Sequence, residues 1–329
     1  MKLATLRTSH RDGTLIACSR ALTRAVAADG IAPTLQAALD DWARVAPQLR
    51  ALANDLEQGR AAGAFALDRT QLAAPLPRPQ GWIDSSVYLN HMELARRLRG
   101  AEVPEAYRLE PLLSPRLPSP FLAASDPLLL PPGDVGLDIE GEVAVIVGDV
   151  PFAASRDQAR DAILLLTLVN DTSLRTVFAP DSARGKTTYH GKGIPSMAPV
   201  AVTPDELGDS WDGEKVTLPL ECSVNGQLIG RPNAGVDMQF TFPEIVQDAA
   251  RLRPLPAGTV LGSGTVSNRD TSAGSACIAE ARMIETIQFG APRMPYLTLG
   301  DEIRVEMFDS GGRTVFGPIL QTVRAAGQR

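Results

Sequence analysis

Asp138-Ile139-Glu140-Gly141-Glu142 is the strongest local hint of chemistry in this sequence. The segment around it, LDIEGEVAVIVG, alternates as a β-strand does, and alternate residues of a strand face one side. Leu137, Ile139, Val143, Val145 and Val147 then share an apolar face, opposite Asp138, Glu140 and Glu142. Carboxylates two apart on a strand stand about 6.5 Å from each other. They can converge on one cation and repel without it. Gly141 between them leaves room for a close neighbour. A polar strand face turned to solvent is the alternative, with even weight on this motif alone.

Other residues could join them. Asp171, in LVNDTSLRT, follows the apolar run 163–169 and sits where a buried element emerges. Burying an unpaired carboxylate is costly, so it needs a partner; Arg175 is within reach if a helical turn continues. A helix cap with an ordinary ion pair is the alternative. Asp84 and His91 are seven residues apart, two turns if that segment is helical. Asp84 then reads as an N-cap, and His91 as a half-buried structural histidine or a base. Lys192 lies between Gly191 and Gly193, which let the backbone bring its ammonium close to a ligand; no phosphate-loop spacing is present. Gly262-Ser263-Gly264-Thr265 closes a strand and can cradle a carboxylate through its amides, or is a plain glycine-rich turn. Glu280 lies in the apolar stretch 277–284, where an ion pair with Arg282 or a neighbouring strand is the plainer explanation. With three histidines (His10, His91, His190) and three scattered cysteines (Cys18, Cys222, Cys277), any metal must lean on carboxylates.

The chain that must position these groups has 329 residues, 44% apolar and 21% charged. That suits one large domain, or a catalytic domain plus a small module. A net charge of −6 argues against a general nucleic-acid binder. No apolar stretch approaches the roughly 20 residues of a membrane span, and the first residues lack a signal peptide's apolar region. The cysteine usage makes a reducing, cytoplasmic compartment the expectation. Residues 1–76 read as a small α+β module, with a hairpin about Asp12-Gly13. Leu35, Leu39, Trp42, Val45, Leu49, Leu52 and Leu56 then follow helical spacing, which Pro47 should kink or divide. Residues 77–329 read as the catalytic domain, opening with a loop at Asp84 that continues as a helix. The proline-rich segment 104–132 reads as a loop covering a site. Beyond 137 the chain is mainly β, with a hairpin about Asn225-Gly226 and strand patterns in TVLGSGTVSN, CIAEARMIETI, EIRVEMFD and RTVFGPI. Helices are expected before Asn170 and over 242–251. The expected class is mainly β or α+β, mixed and mostly antiparallel.

Taken in order, these pieces resemble the fumarylacetoacetate hydrolase family across roughly residues 77–329. The matching pattern is Asp84 with His91, Glu140-x-Glu142 with Gly148, Asn170-Asp171, Gly191-Lys192, Gly264-Thr265 and Glu280. The resemblance implies a mixed β-sandwich roll with a small N-terminal module, and a homodimer. It implies that Asp84, Glu140, Glu142 and Asp171 hold the metal. Four oxygen donors suit Mg²⁺ or Ca²⁺, with Mn²⁺ also accommodated, and not zinc. It implies that His91 is a general base oriented by Glu280, with Lys192 stabilising negative charge on oxygen. Gly264, Thr265 and Arg175 would bind substrate, Arg175 also orienting the metal ligands. The implied reaction is hydrolysis of a carbon–carbon bond in a β-diketo acid, foremost fumarylacetoacetate to fumarate and acetoacetate. Acylpyruvate hydrolysis, decarboxylation, isomerisation or dehydration of a 2-oxo acid is the alternative. This chain departs from the animal enzymes at Ser86, Phe178 and Gly100, where Tyr, Gln and Arg are usual; Arg96, Arg97 and Arg99 lie close to the last.

Overall fold

The computed structural model describes residues 1–98, 100–116, 119–183 and 190–327, side chains excepted at 179 and 181–183. Two apolar segments make its centre. Ile163–Asn170 pairs antiparallel with Gly141–Val147, and both are buried almost throughout. Val143, Val145 and Val147 face one core while Ala144 and Ile146 face the other. A strand buried on both faces needs apolar residues at every position, which is why this stretch is so apolar.

Among the described residues the surrounding sheet has twelve strands. On one side Ile163–Asn170 leads through Ala201–Val202 to the hairpin of Lys2–Leu6 and Thr14–Cys18, then to Arg24–Ala27. On the other, Gly141–Val147 pairs with Thr259–Gly262, which runs parallel to Gly81–Ser86, followed by Leu112–Pro115. Strands from residues 1–76 thus continue the sheet that carries the later ones. Helices Leu35–Leu39 and Trp42–Glu57 cover the outer face through Leu35, Leu39, Val45, Leu49 and Leu56. Their break falls at Asp40–Asp41; Pro47 lies inside the second helix on its exposed side.

A second sheet carries Gln227–Gly230, Leu220–Val224, Glu302–Met307, Ile319–Ala325 and Leu128–Leu130 in that order. Its hairpin turns at Asn225 (φ 51°) and Gly226 (φ 74°), both left-handed as a two-residue turn of this kind requires. Leu220, Cys222, Val305 and Ile319 pack toward Val143 and Val145. The architecture is a mixed, sheet-dominant α+β fold.

Four sequence expectations are corrected. CIAEARMIETI forms no strand: Ile278–Phe289 is a helix. Its alanines, glutamates, arginine and methionine favour that state, and Cys277 caps it by accepting the Glu280 amide. Asp84 is not an N-cap but sits in the strand Gly81–Ser86, with His91 in the following helix Leu89–Arg97. RTVFGPI holds a single bridge, Phe308 to Thr314, and regular pairing starts at Ile319, after Gly317 (φ 74°) and Pro318. Segment 104–132 is no plain loop: Ala106–Leu109 is helical, and Leu112–Pro115 and Leu128–Leu130 each join a sheet.

Candidate active site

Three neighbouring parts of the large sheet each deliver a carboxylate to one point. Asp171 follows Ile163–Asn170, Glu142 is the second residue of Gly141–Val147, and Asp84 comes from Gly81–Ser86. The strand between the last two, Thr259–Gly262, ends in a glycine. A Cβ at Gly262 would lie 2.6 Å from Glu142 Oε2 and 2.5 Å from the Trp82 ring. The missing side chain makes the space that Glu142 fills. Asp84, Glu142 and Asp171 each place an oxygen within 4.8 Å of the others. All three are buried.

The electrostatics there are unbalanced. Among the described residues, Asp84 Oδ1 and both Glu142 oxygens have no hydrogen-bond partner. Burial, opposed by Arg116 and reinforced by Asp171, raises the Asp84 carboxyl to about 7. Burial and the neighbouring Asp84 and Asp171 push Glu142 well above the usual carboxylate range. Unpartnered buried carboxylate oxygens converging on one point fit a hard divalent cation. We expect Gly262→Ala to displace Glu142, lowering divalent-metal affinity at least tenfold and costing about 1–3 kcal/mol of stability by overpacking. Isothermal titration and chemical denaturation would check both; unchanged affinity would refute the steric argument.

Glu140 behaves differently. The expected single strand breaks at Ile139 and Glu140, because Leu137–Asp138 pairs with Ser173–Leu174 in a separate small ladder. Glu140 N–H donates to Asn170 Oδ1 (2.9 Å), and its carbonyl accepts from the Asp171 amide (3.0 Å). Its carboxylate meets Lys192 Nζ at 2.5 Å, Arg175 at 2.6 Å and the Ser173 hydroxyl at 2.9 Å. Burial works against its ionisation, but Lys192 and Arg175 together hold it well below the usual carboxylate range. Lys192 also reaches Asp171 at 2.7 Å. Sequence reading missed Arg116, whose Nη2 donates to Asp84 and, at 2.8 Å, to Asp171. It stands in a proline-rich stretch with no pattern to mark it.

His91 Nδ1 lies 2.7 Å from Glu280 Oε2, with Glu280 fully buried and His91 partly open. Asp138 fixes the helix that carries Glu280. Its carboxylate accepts the amides of Ile278 (2.7 Å) and Ala279 (2.9 Å) and pairs with Arg175 at 2.8 Å. A carboxylate at a helix N-terminus satisfies free amides and complements the dipole. The Asp-x-Glu-x-Glu pattern marked Asp138 as polar, not this role. Asp84, His91, Glu140, Arg175, Lys192 and Thr265 line one cavity of about 690 Å³. Gly264 brings Thr265 there: at φ 77° its Cβ would lie 2.2 Å from the Ser85 carbonyl. Ser86, Phe178 and Arg96 also line the cavity, as does Arg282. Arg99 lies outside the described residues.

Fold and site together define a sheet-dominant α+β protein with a buried acidic triad beside a carboxylate-backed histidine. A family model described as fumarylacetoacetate (FAA) hydrolase C-terminal matches residues 85–324, and one described as fumarylacetoacetase N-terminal domain 2 matches residues 1–78. The chain belongs to the fumarylacetoacetate hydrolase family, an enzyme family with hydrolase, isomerase and tautomerase members. It is 28% identical over 206 residues to the oxaloacetate tautomerase YisK of Bacillus subtilis, covering 62% of this chain and 64% of that one. The match thus spans just under two thirds of that relative. A probable 2-hydroxyhepta-2,4-diene-1,7-dioate isomerase from Mycobacterium abscessus superposes with a TM-score of 0.68 at 21% identity, covering 100% of both chains. Maleylpyruvate hydrolase from Sphingobium sp. SYK-6, in complex with manganese(II) and pyruvate, superposes with a TM-score of 0.67 at 18% identity, again over 100% of both. These two likenesses concern the fold. Among the described residues no helix is long and apolar enough to cross a membrane.

Proposed function

We propose that the chain hydrolyses a carbon–carbon bond in a β-diketo acid, with fumarylacetoacetate as the first substrate to test and residues 77–329 as the catalytic domain behind the module 1–76. The observation that carries this reading is the His91–Glu280 pair, opening on the cavity that Asp84 and Glu140 also line. Asp84, Glu140, Glu142 and Asp171 would hold a divalent ion, Mg²⁺ or Ca²⁺, with Mn²⁺ also suited. Such an ion supplies Lewis acidity toward the enolate that leaves.

The chain's own groups do the rest. Nδ1 of His91 faces Glu280, which leaves Nε2 to take a proton from water. Glu280 stabilises the imidazolium that results. The hydroxide adds to the acyl carbonyl, the carbon–carbon bond breaks, and the departing enolate takes up a proton. Lys192 stabilises the charge that develops on oxygen. Gly264 and Thr265 hold a substrate carboxylate, and Arg175 keeps Glu140 in place. The same reading carries a homodimer and a cytoplasmic location as expectations.

The relative named as an oxaloacetate tautomerase supports a second reading, isomerisation of a 2-oxo acid. A His–Glu pair can move a proton between carbon and enol oxygen without breaking the skeleton. Fumarylacetoacetate and a set of acylpyruvates, each assayed with Mg²⁺ and with chelator, separate the readings. Hydrolysis predicts Mg²⁺-dependent loss of the diketone's ultraviolet absorbance and two product fragments. One intact skeleton would select isomerisation, and no Mg²⁺-dependent change would reject both.

A further inference from the structure

The acidic triad stands between two cavities, and the second is built differently from the first. The cavity that His91 lines also presents Arg96, Arg175, Arg282 and several hydroxyls. A second cavity, of about 510 Å³, reaches the triad from the other side, where Asp171 lines it. Arg116 and Lys192 line both cavities and mark where they meet. Beyond them the second cavity is walled by Trp82, Leu122, Leu128, Leu129, Ile194 and Pro195. Arg116, Lys192 and Asp171 make the chamber's inner end polar while its outer walls are apolar, which suits a molecule polar at one end and apolar at the other. Arg116 is buried, and its Nη2 already pairs with Asp84 and Asp171.

We propose that the second cavity receives one arm of the substrate. The ligand of the triad is then an oxo acid with two unlike arms: a polar acyl arm toward His91 and an apolar chain running past Arg116 toward Leu129 and Ile194. This rests on the reading of the triad as the centre that binds an oxo acid, and it names the substrate class more narrowly. Fumarylacetoacetate, polar at both ends, would leave the apolar chamber unfilled. Pyruvate would be too short to enter it.

Chain length tests this directly. Each methylene buried is worth a factor of about four in affinity. Lengthening the chain from pyruvate to 2-oxohexanoate should therefore tighten binding by at least roughly tenfold, allowing for the ordering of the chain. Titration calorimetry with Mg²⁺ present would measure pyruvate, 2-oxohexanoate and 2-oxooctanoate. Ile194→Trp and Leu129→Trp would fill the chamber from positions 40% and 39% exposed, where a larger side chain does not disturb packing. Both variants should keep pyruvate affinity and the thermal midpoint while losing the gain with chain length. If pyruvate itself fails to bind, the reading of the triad fails. If pyruvate binds but affinity does not rise with length, the second cavity is not an arm site. A length gain that survives in both tryptophan variants, each folded, would place the chain elsewhere and overturn the proposal.

Discussion

His91→Ala should lower turnover of the diketo acid by roughly 10³-fold, the range that removing a general base produces. Mg²⁺ affinity should stay within a few-fold of the original, because His91 pairs with Glu280 and not with the acidic triad. Stability should fall as well, by about 1–3 kcal/mol, because the fully buried Glu280 carboxylate loses its partner, so the rate is measured on the folded fraction. That measurement gives the test its force: a purely structural histidine would lower stability and leave the rate of the folded fraction alone. Glu280→Gln should act through His91, reducing turnover less and shifting the pH profile, because a carboxamide no longer stabilises the imidazolium. Turnover within a factor of two of the parent in His91→Ala would remove the proposed mechanism, whichever substrate is used.

The second large effect concerns pH. In chelator, stability should fall as pH rises from about 5 to 8. The sign follows from Asp84 and Glu142. Burial raises the Asp84 carboxyl from an ordinary 3.8 to about 7 and pushes Glu142 up in the same direction. Between about pH 4 and 7 the folded protein therefore holds protons that the unfolded chain has released, and each rise in pH favours unfolding. The loss across the window is on the order of a few kcal/mol. Glu140 adds no slope there, because Lys192 and Arg175 keep it ionised throughout. A divalent ion held by the triad, as proposed, would compete with the protons on Asp84 and Glu142. Its binding should release protons, and its affinity should rise with pH through about 7. At a hundredfold excess over Kd it should restore about 2.7 kcal/mol. Urea titrations at pH 5, 6, 7 and 8, in chelator and in Mg²⁺, would show both trends. A pH-independent stability in chelator would contradict the unbalanced charge of the site.

Residue types and order made much of the site legible before any geometry. The Glu-x-Glu pair, Asp171 and Asp84 drew attention because carboxylates beside apolar runs need a partner. Their distances were hidden. Asp84 reaches the triad through a parallel pairing of Gly81–Ser86 with Thr259–Gly262, which no local pattern announces. The strand break at Glu140 was hidden for the same reason: it depends on Leu137–Asp138 finding Ser173–Leu174. Hairpins were easier, because Asn225-Gly226 carries its turn chemistry in two residues. The helix Ile278–Phe289 was misread as a strand because its apolar residues suit either state. What decides it is the capping by Cys277 and Asp138, the second of these about 140 residues earlier in the chain. Arg116 had no signal, since its role comes from where Leu112–Pro115 leaves the sheet.

The parallel pairing has a consequence for how the protein comes into being. Asp84 lies early in the chain, yet its strand rests on one at Thr259–Gly262, and its histidine neighbour waits for Glu280. Closing so long a loop costs little more entropy than closing a moderate one, but such contacts form slowly. During synthesis Glu142 and Asp171 can meet as Gly141–Val147 pairs with Ile163–Asn170. Asp84 emerges earlier than either, yet joins them only after the last third of the chain has appeared. The acidic triad is thus completed last, and divalent ions at millimolar concentration should accelerate that step more than the early hairpins.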